Sequence, residues 1–346
     1  MGLIGTDIGI DLGTSTIRIY VKGKGLIVEE PAAAIISKSG RKHRTKLVFI
    51  GKQAVENKNR LEAGQQFVHP IQFGVIKDNE VALQMLHALK LYAAGSSYLS
   101  RPRIFITYPA NTSENNKLVL RTLCTEIGAK HVFLISKPFA SAVGVGIKAF
   151  DAKANMIIDA GAGTVDMAAV SLGGLVIANS REFAGDLINS EIVKKYGTQD
   201  YSDSSKLNYS ISFDEAESIK KQIGSALPRI KSLSLTAKTP QELLEIKSED
   251  VYDVITGFLS SLEAGIHNIF SQIPLTMVPD IVENGIYLCG GTSQMPGMES
   301  FIKNKTGIRV NMVQDPARAV INGLGSIITN FDDIVKRGRT SFLEVD

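Results

Sequence analysis

One short pattern, met twice, restricts this chain more than any other feature. Residues 7–20 read DIGIDLGTSTIRIY, two apolar-alternating runs joined by Gly13-Thr14-Ser15-Thr16. Residues 156–178 read MIIDAGAGTVDMAAVSLGGLVIA, and there Asp159-Ala160-Gly161-Ala162-Gly163-Thr164 restates Asp11-Leu12-Gly13-Thr14-Ser15-Thr16. Apolar residues at every second position predict strands, so each copy is a hairpin that opens a three-stranded meander. A repeat spaced by roughly 150 residues is too long for a solenoid and signals duplicated lobes. An ordinary hairpin turns on Asn-Gly or Asp-Gly, whereas a glycine followed by three hydroxyl side chains suggests a turn that holds something.

The rest of the chain has the length and patterning for two such lobes. At 346 residues it exceeds one ordinary core. After the first meander, residues 78–94 carry apolar side chains at helical spacing and Arg103 to Tyr108 read as a strand. Asn111 with Glu114 resembles a capping box for a helix that stops at Gly128. A strand at His131 to Ile135 then feeds a helix from Pro138 to about Lys148. Beyond the second meander come helices near 185–197, 214–226 and 249–272, a strand Gly285 to Cys289 and a helix from Gly297. A strand Ile308 to Met312 and a last helix from Pro316 complete the chain. The expected fold is α/β and two-lobed, each lobe a mixed sheet with helices. Lobe I comprises 1–141 and 310–346, with an inserted subdomain at about 31–71. Lobe II comprises 142–309, with an insertion at about 182–245.

Several function classes drop out. The net charge of +3 on 38 basic and 35 acidic residues is nearly balanced, and no basic run is interleaved with aromatics, so nucleic acid is not expected as a partner. The basic run Lys38, Arg41, Lys42, Arg44 and Lys46 reads first as a solvated hairpin tip and second as a contact for acidic lipid or a protein. Cys124 and Cys289 have no metal-type spacing between them or with the five histidines. No apolar run nears the roughly 20 residues of a membrane span and the N-terminus lacks signal-peptide features, so a cytoplasmic location is expected.

Two glycine-containing turns brought face to face would present backbone N–H groups and hydroxyls to one cleft, as a phosphate chain requires. Asp11 and Asp159 cannot touch phosphate directly. They make sense if a Mg²⁺ ion with its water shell sits between them and the phosphates. The simpler reading, Asp used for turn chemistry alone, would suffice for one copy and is weak for two.

Here the residues resemble a family. Asp11-Leu12-Gly13-Thr14, Asp159-Ala160-Gly161-Ala162-Gly163-Thr164 and Leu288-Cys289-Gly290-Gly291-Thr292-Ser293 look like the phosphate-1, phosphate-2 and adenosine motifs of the actin, chaperone and sugar-kinase ATPase superfamily. GIDLGT, EEPAAAI at 29–35, ISKPFASAVG at 135–144, IKKQIG at 219–224 and the closing DPARAVINGLG are together similar to MreB, the bacterial actin, over residues 5 to about 335. The resemblance implies an actin-like two-lobed ATPase fold with ribonuclease-H-like lobes. It also implies ATP and Mg²⁺ as ligands, a filament built from copies of the chain, and related paralogues as further partners. Thr14, Ser15 and Thr16 would line the β- and γ-phosphates with Gly13, opposite Gly161, Ala162, Gly163 and Thr164. Glu217 and Lys220, one helical turn apart, would face the ribose and base, though alone they read as a surface ion pair. Gly290, Gly291, Thr292 and Ser293 would approach the adenosine. The small residues from Ala140 to Gly146 would let a helix pack closely where the lobes hinge.

The departures from that family are as informative. MreB proteins typically carry Glu-Glu-Pro where this chain has Ser136-Lys137-Pro138, and Gly and Thr where Ala162 and Val165 stand. Binding is expected to be intact and hydrolysis weakened, with Ser136, Lys137 and Val165 as the substituted catalytic positions. Ser136 or Asp166 could take over the water contact, or Lys137 could turn to solvent and leave it to a bound water. The altered stretch also resembles divergent paralogues of wall-less helical bacteria, where shape and swimming are the implied duties. A small-molecule kinase of the same superfamily is the competing class, and no convincing Asp base in an acceptor pocket supports it. SSYLS at 96–100, where MreB proteins often place an apolar loop, offers Tyr98 and Leu99 as a membrane contact or as side chains packed on their own lobe.

Overall fold

The computed structural model describes residues 6–39, 44–95, 101–196, 211–228 and 246–345. Tyr98 and Leu99, Arg41 and Lys42 of the basic run, and much of the 182–245 insertion lie outside the described residues.

Two mixed sheets carry the chain, and they share one plan. In the first, Ile8–Leu12 pairs antiparallel with Thr16–Val21, which pairs with Gly25–Pro31. On its other side Ile8–Leu12 runs parallel to Arg103–Tyr108, followed by His131–Ser136 and, at the edge, antiparallel Leu343–Val345. In the second, Asn155–Ala160 pairs antiparallel with Val165–Ser171, then Gly174–Arg181, and parallel with Ile286–Cys289, beside Val310–Met312. The repeat therefore extends to which neighbour is parallel and which is not. Ile8–Leu12 and Asn155–Ala160 are buried along their whole length, as central strands covered on both faces must be. Val310–Met312 lies in the second sheet, whereas the expected division at 309/310 gave it to the first lobe.

Residues 34–68 form a separate three-stranded sheet from Ala34–Ser39, Arg44–Ile50 and Gln65–Val68, with the helix Gly51–Asn57 beside it. Three local expectations shift. The cap of the helix Glu114–Glu126 is Ser113, whose hydroxyl accepts from the Asn116 N–H at 3.3 Å. Asn111 instead donates to the Ser180 carbonyl across the molecule at 3.0 Å. The helix from Lys137 ends at Gly144, short of Lys148, and Gly146 at φ +85° turns the chain away. The last long helix begins as a 3₁₀ turn at Pro316–Arg318 and continues as Ala319–Thr329.

Each sheet has its own apolar core, and a third core joins them. The third gathers Phe105 and Ile135 from the first sheet, Ile157 and Val170 from the second, and Phe139 and Leu324 from the helices Lys137–Gly144 and Ala319–Thr329. Those two helices cross with no side chain between them. A Cβ on Gly144 would overlap the Ala319 carbonyl, and one on Gly323 the Ala140 carbonyl, so the backbones themselves touch. Among the described residues no helix is long and apolar enough to cross a membrane.

Candidate functional site

Between the two sheets lies a cleft of about 490 Å³, and both repeated turns open into it. Each turn is closed by the same bond. Gly13 N–H donates to the Thr16 carbonyl at 3.1 Å, and Gly161 N–H to the Thr164 carbonyl at 2.9 Å. The turns meet across the cleft, since a Cβ on Gly163 would overlap the Thr14 hydroxyl. That hydroxyl accepts from the Gly74 N–H at 2.9 Å, which brings the tip of the hairpin Ile71–Ile76 over the first turn. A third segment joins them. Gly290 sits at φ +88°, where a Cβ would lie 2.5 Å from Asp159 Oδ1, and Thr292 donates to the Gly161 carbonyl at 2.7 Å.

Most of the expected residues line this cleft: Asp11, Gly13 to Thr16, Lys137, Asp159, Gly161 to Thr164, Glu217, Lys220 and Gly290 to Thr292. Ser136, Val165 and Ser293 do not. Ser136 is buried at the end of its strand and precedes the helix Lys137–Gly144. Val165 packs into the second core, facing away from Thr164 and Asp166 because strand side chains alternate. Ser293 braces its own turn by donating to the Gly290 carbonyl at 2.6 Å.

One wall is the helix Phe213–Ile223, which starts on a complete capping box. Ser212 Oγ accepts from the Glu215 N–H, and Glu215 returns by accepting from the Ser212 N–H. The cap places Glu217 and Lys220 on the cleft face, and they are more than a surface pair. Lys220 is buried and donates both to Glu217 and to the Gly185 carbonyl, the latter at 2.9 Å. Asn189 donates to the same Glu217 oxygen at 2.7 Å. Burial pushes the Glu217 carboxyl upward, but the Lys220 ammonium beside it outweighs that and holds it down at about 2. Asp186 nearby is raised, chiefly by burial.

The floor beneath the turns differs between the two copies. In the first hairpin Asp11 stands opposite Arg18; in the second Asp159 stands opposite Asp166. Burial, then the Asp166 charge, pushes Asp159 up to about 6 against the Ser141 hydroxyl that donates to it at 2.6 Å. Asp166 is raised by burial too, although it accepts from Ala110 N–H and the Thr164 hydroxyl, both at 2.9 Å. Into this floor reaches Lys137. It is buried, not turned to solvent, and its Nζ lies 3.3 Å from the Leu12 carbonyl and 3.4 Å from Asp11 Oδ1.

Arg18 is one of several lining residues that the motifs miss, with Asp186 and Gln294 among the others. Its signal was present, because a turn of Gly13 to Thr16 pins the register so that Asp11 must face residue 18. Arg18 stands 3.6 Å from Asp11 Oδ2 and donates to Glu29 at 2.8 Å, and Arg318 grips the same Glu29. The Arg318 hydrogen bonds, with help from Arg18, outweigh burial and hold the Glu29 carboxyl at about 2. A carboxylate lowered from 4.5 contributes stability that is present above about pH 4.5 and lost as pH falls toward 2. Glu29→Gln is therefore expected to cost about 1 kcal/mol at pH 7, after discounting for its partial exposure, and progressively less below pH 4. Urea midpoints of both proteins at pH 7 and pH 3 check this; an equal deficit at both would contradict it.

The same donors bear on Mg²⁺. A water-shelled ion on Asp11 and Asp159 needs carboxylate oxygens able to accept from its waters. Asp11 Oδ1 already accepts from the Thr107 hydroxyl at 2.9 Å with the Lys137 ammonium beside it, and Asp11 Oδ2 faces Arg18. Asp159 Oδ2 is taken by Ser141. Among the described residues no group of three or more His, Cys, Asp or Glu is arranged to hold a metal. The residues present do not fit the expected ion. They do fit a polyphosphate, for which the paired turns supply N–H groups and hydroxyls.

Comparison with known proteins agrees with this geometry. The family model described as MreB/Mbl protein matches residues 5–336. The cell shape-determining protein Mbl of Bacillus cereus is 28% identical over 339 residues, covering 96% of this chain and 98% of the relative. Crystal structures of MreB5 of Spiroplasma citri bound to AMPPNP and to ADP superpose with TM-scores of 0.84 and 0.82 at 24% identity. They cover 96% and 97% of this chain and 99% and 98% of theirs. A MamK double helical filament gives 0.75 at 19% identity, covering 93% of this chain and 98% of the other. The structural likenesses show the fold, which is actin-like, and a family model that runs through both hairpins and almost the whole chain settles descent: the chain belongs to the MreB/Mbl family.

Proposed function

We propose that this chain binds ATP in the cleft and polymerises head to tail into filaments that serve cell shape or motility, hydrolysing the nucleotide slowly. The observation that carries the reading is the matched pair of turns, Gly13–Thr16 and Gly161–Thr164, closed by the same bond and touching through Thr14 and Gly163. Thr14, Ser15 and Thr16 line the cleft opposite Gly161, Ala162 and Gly163, where their hydroxyls and the turn N–H groups not spent on closure would serve a polyphosphate. Glu217 and Lys220 then face the ribose and base, and Gly290 to Thr292 approach the adenosine. The AMPPNP- and ADP-bound MreB5 structures support the ligand, and the MamK filament supports the assembly. A head-to-tail contact that does not close on itself propagates without limit. Attachment of filaments to a membrane through Tyr98 and Leu99 belongs to this reading on sequence grounds. Two such side chains contribute roughly 1.5–3 kcal/mol each, so the filament would have to supply avidity.

Sedimentation of the full chain with and without ATP or AMPPNP, paired with thermal melts, tests the proposal. Pelleting and a raised melting temperature only with nucleotide are expected. Absence of both responses would refute the reading, and phosphate transfer to a small-molecule acceptor without pelleting would favour the kinase.

A further inference from the structure

The inference rests on the cleft being a nucleotide site. Its floor holds three buried carboxylates, Asp11, Asp159 and Asp166, and a polyphosphate set above such a floor needs positive charge between. In proteins that charge is commonly a hydrated Mg²⁺. Here a side chain already occupies the place. Lys137 lines the cleft from the first position of the helix Lys137–Gly144, with its ammonium against the carbonyl that precedes Gly13 and 3.4 Å from Asp11 Oδ1. The backbone contact at Gly144 and Gly323 holds that helix in place.

We propose that Lys137 is a resident cation of the nucleotide site, which takes the place of the divalent ion so that nucleotide binds without Mg²⁺. An ammonium has three donors and no acceptor, so it can satisfy the Leu12 carbonyl and Asp11 while offering a proton to a phosphate oxygen. It carries half the charge of Mg²⁺, and Arg18 on the other side of Asp11 supplies the second positive charge. Neither cation can be diluted or chelated away. A hydrated ion brought to Asp11 would meet the Lys137 ammonium, 3.4 Å from Oδ1, at close range, and it is this charge rather than any lack of carboxylate oxygens that would keep the ion out.

Calorimetric titration of the full chain with AMPPNP, in Mg²⁺ and again in EDTA, tests this. Chelation is expected to weaken wild-type binding by less than about 3-fold, and binding to Lys137→Gln and Lys137→Met by about 10²-fold, because only the variants must import their cation. A second reading needs no nucleotide. Mg²⁺ alone is expected to raise the melting temperature of Lys137→Gln and to leave that of wild type unchanged. Loss of tenfold or more in wild-type affinity on chelation would overturn the proposal even if neither variant folds. Absence of AMPPNP binding in both buffers by folded wild type would instead overturn the nucleotide reading on which it rests.

Discussion

Phosphate release by the Ser136→Glu, Lys137→Glu double variant is expected to exceed that of wild type by about 10²-fold, at saturating MgATP and equal filament mass. Attack on the γ-phosphate requires a group that accepts a hydrogen bond from water and aims it in line. Lys137 has no acceptor, and it is buried against Asp11 and Leu12, so it neither orients water nor leaves room by swinging outward. Ser136 offers no substitute, since it does not line the cleft. The glutamate pair opens the helix Lys137–Gly144, where the helix N-terminus favours negative charge. The variant also adds a carboxylate to the floor, so its turnover should require Mg²⁺. Asp166 is the competing acceptor, and both its oxygens are already engaged. Wild-type turnover as fast as the double variant would defeat the claim. Residual turnover abolished by Asp166→Asn would move the role to Asp166.

Gly323→Val is expected to destabilise the protein by about 3–5 kcal/mol, toward the limit of what one substitution does. The obstacle is the Ala140 carbonyl, part of the backbone of the helix Lys137–Gly144, which cannot rotate away as a side chain would. The helices must part, and the third core is built around both of them. Since Lys137 rides on one helix and the Pro316 carbonyl, which accepts from Gly290 N–H, leads into the other, nucleotide binding should fall as well. Gly257 is the control. It lies inside the helix Ser248–Phe270 with nothing within 4 Å of its would-be Cβ, so Gly257→Ala should stabilise by roughly 0.5–1 kcal/mol. Urea midpoints of the three proteins decide the matter, and a Gly323→Val deficit below 1 kcal/mol would show that the helices separate without loss.

What could be read from the sequence was what local chemistry determines. The hairpins were legible because alternation and a glycine turn encode both strands and register within a dozen residues, and their recurrence exposed the duplication. Glu217 and Lys220 were legible as one helical face. The rest depended on partners distant in sequence. Asn111 makes as good a cap as Ser113 until Ser180 claims its amide. Val310–Met312 is three residues long, too short to announce which sheet recruits it, and Ile286–Cys289 does the recruiting. The direction of Lys137 was open because a lysine at a helix start reaches solvent as readily as a floor of carboxylates. Only the convergence of Asp11, Asp159 and Asp166 from both sheets decides it.

The two hairpins superimpose in plan but not in the sign of their rungs. Asp11 faces a cation and Asp159 faces another carboxylate, so an electric field runs across the cleft floor from the first hairpin toward the second. The polyanion proposed to bind there would be drawn to one side before it forms any hydrogen bond. For the phosphate chain proposed above, the unlike residues 18 and 166 would give two otherwise repeated hairpins a single polarity.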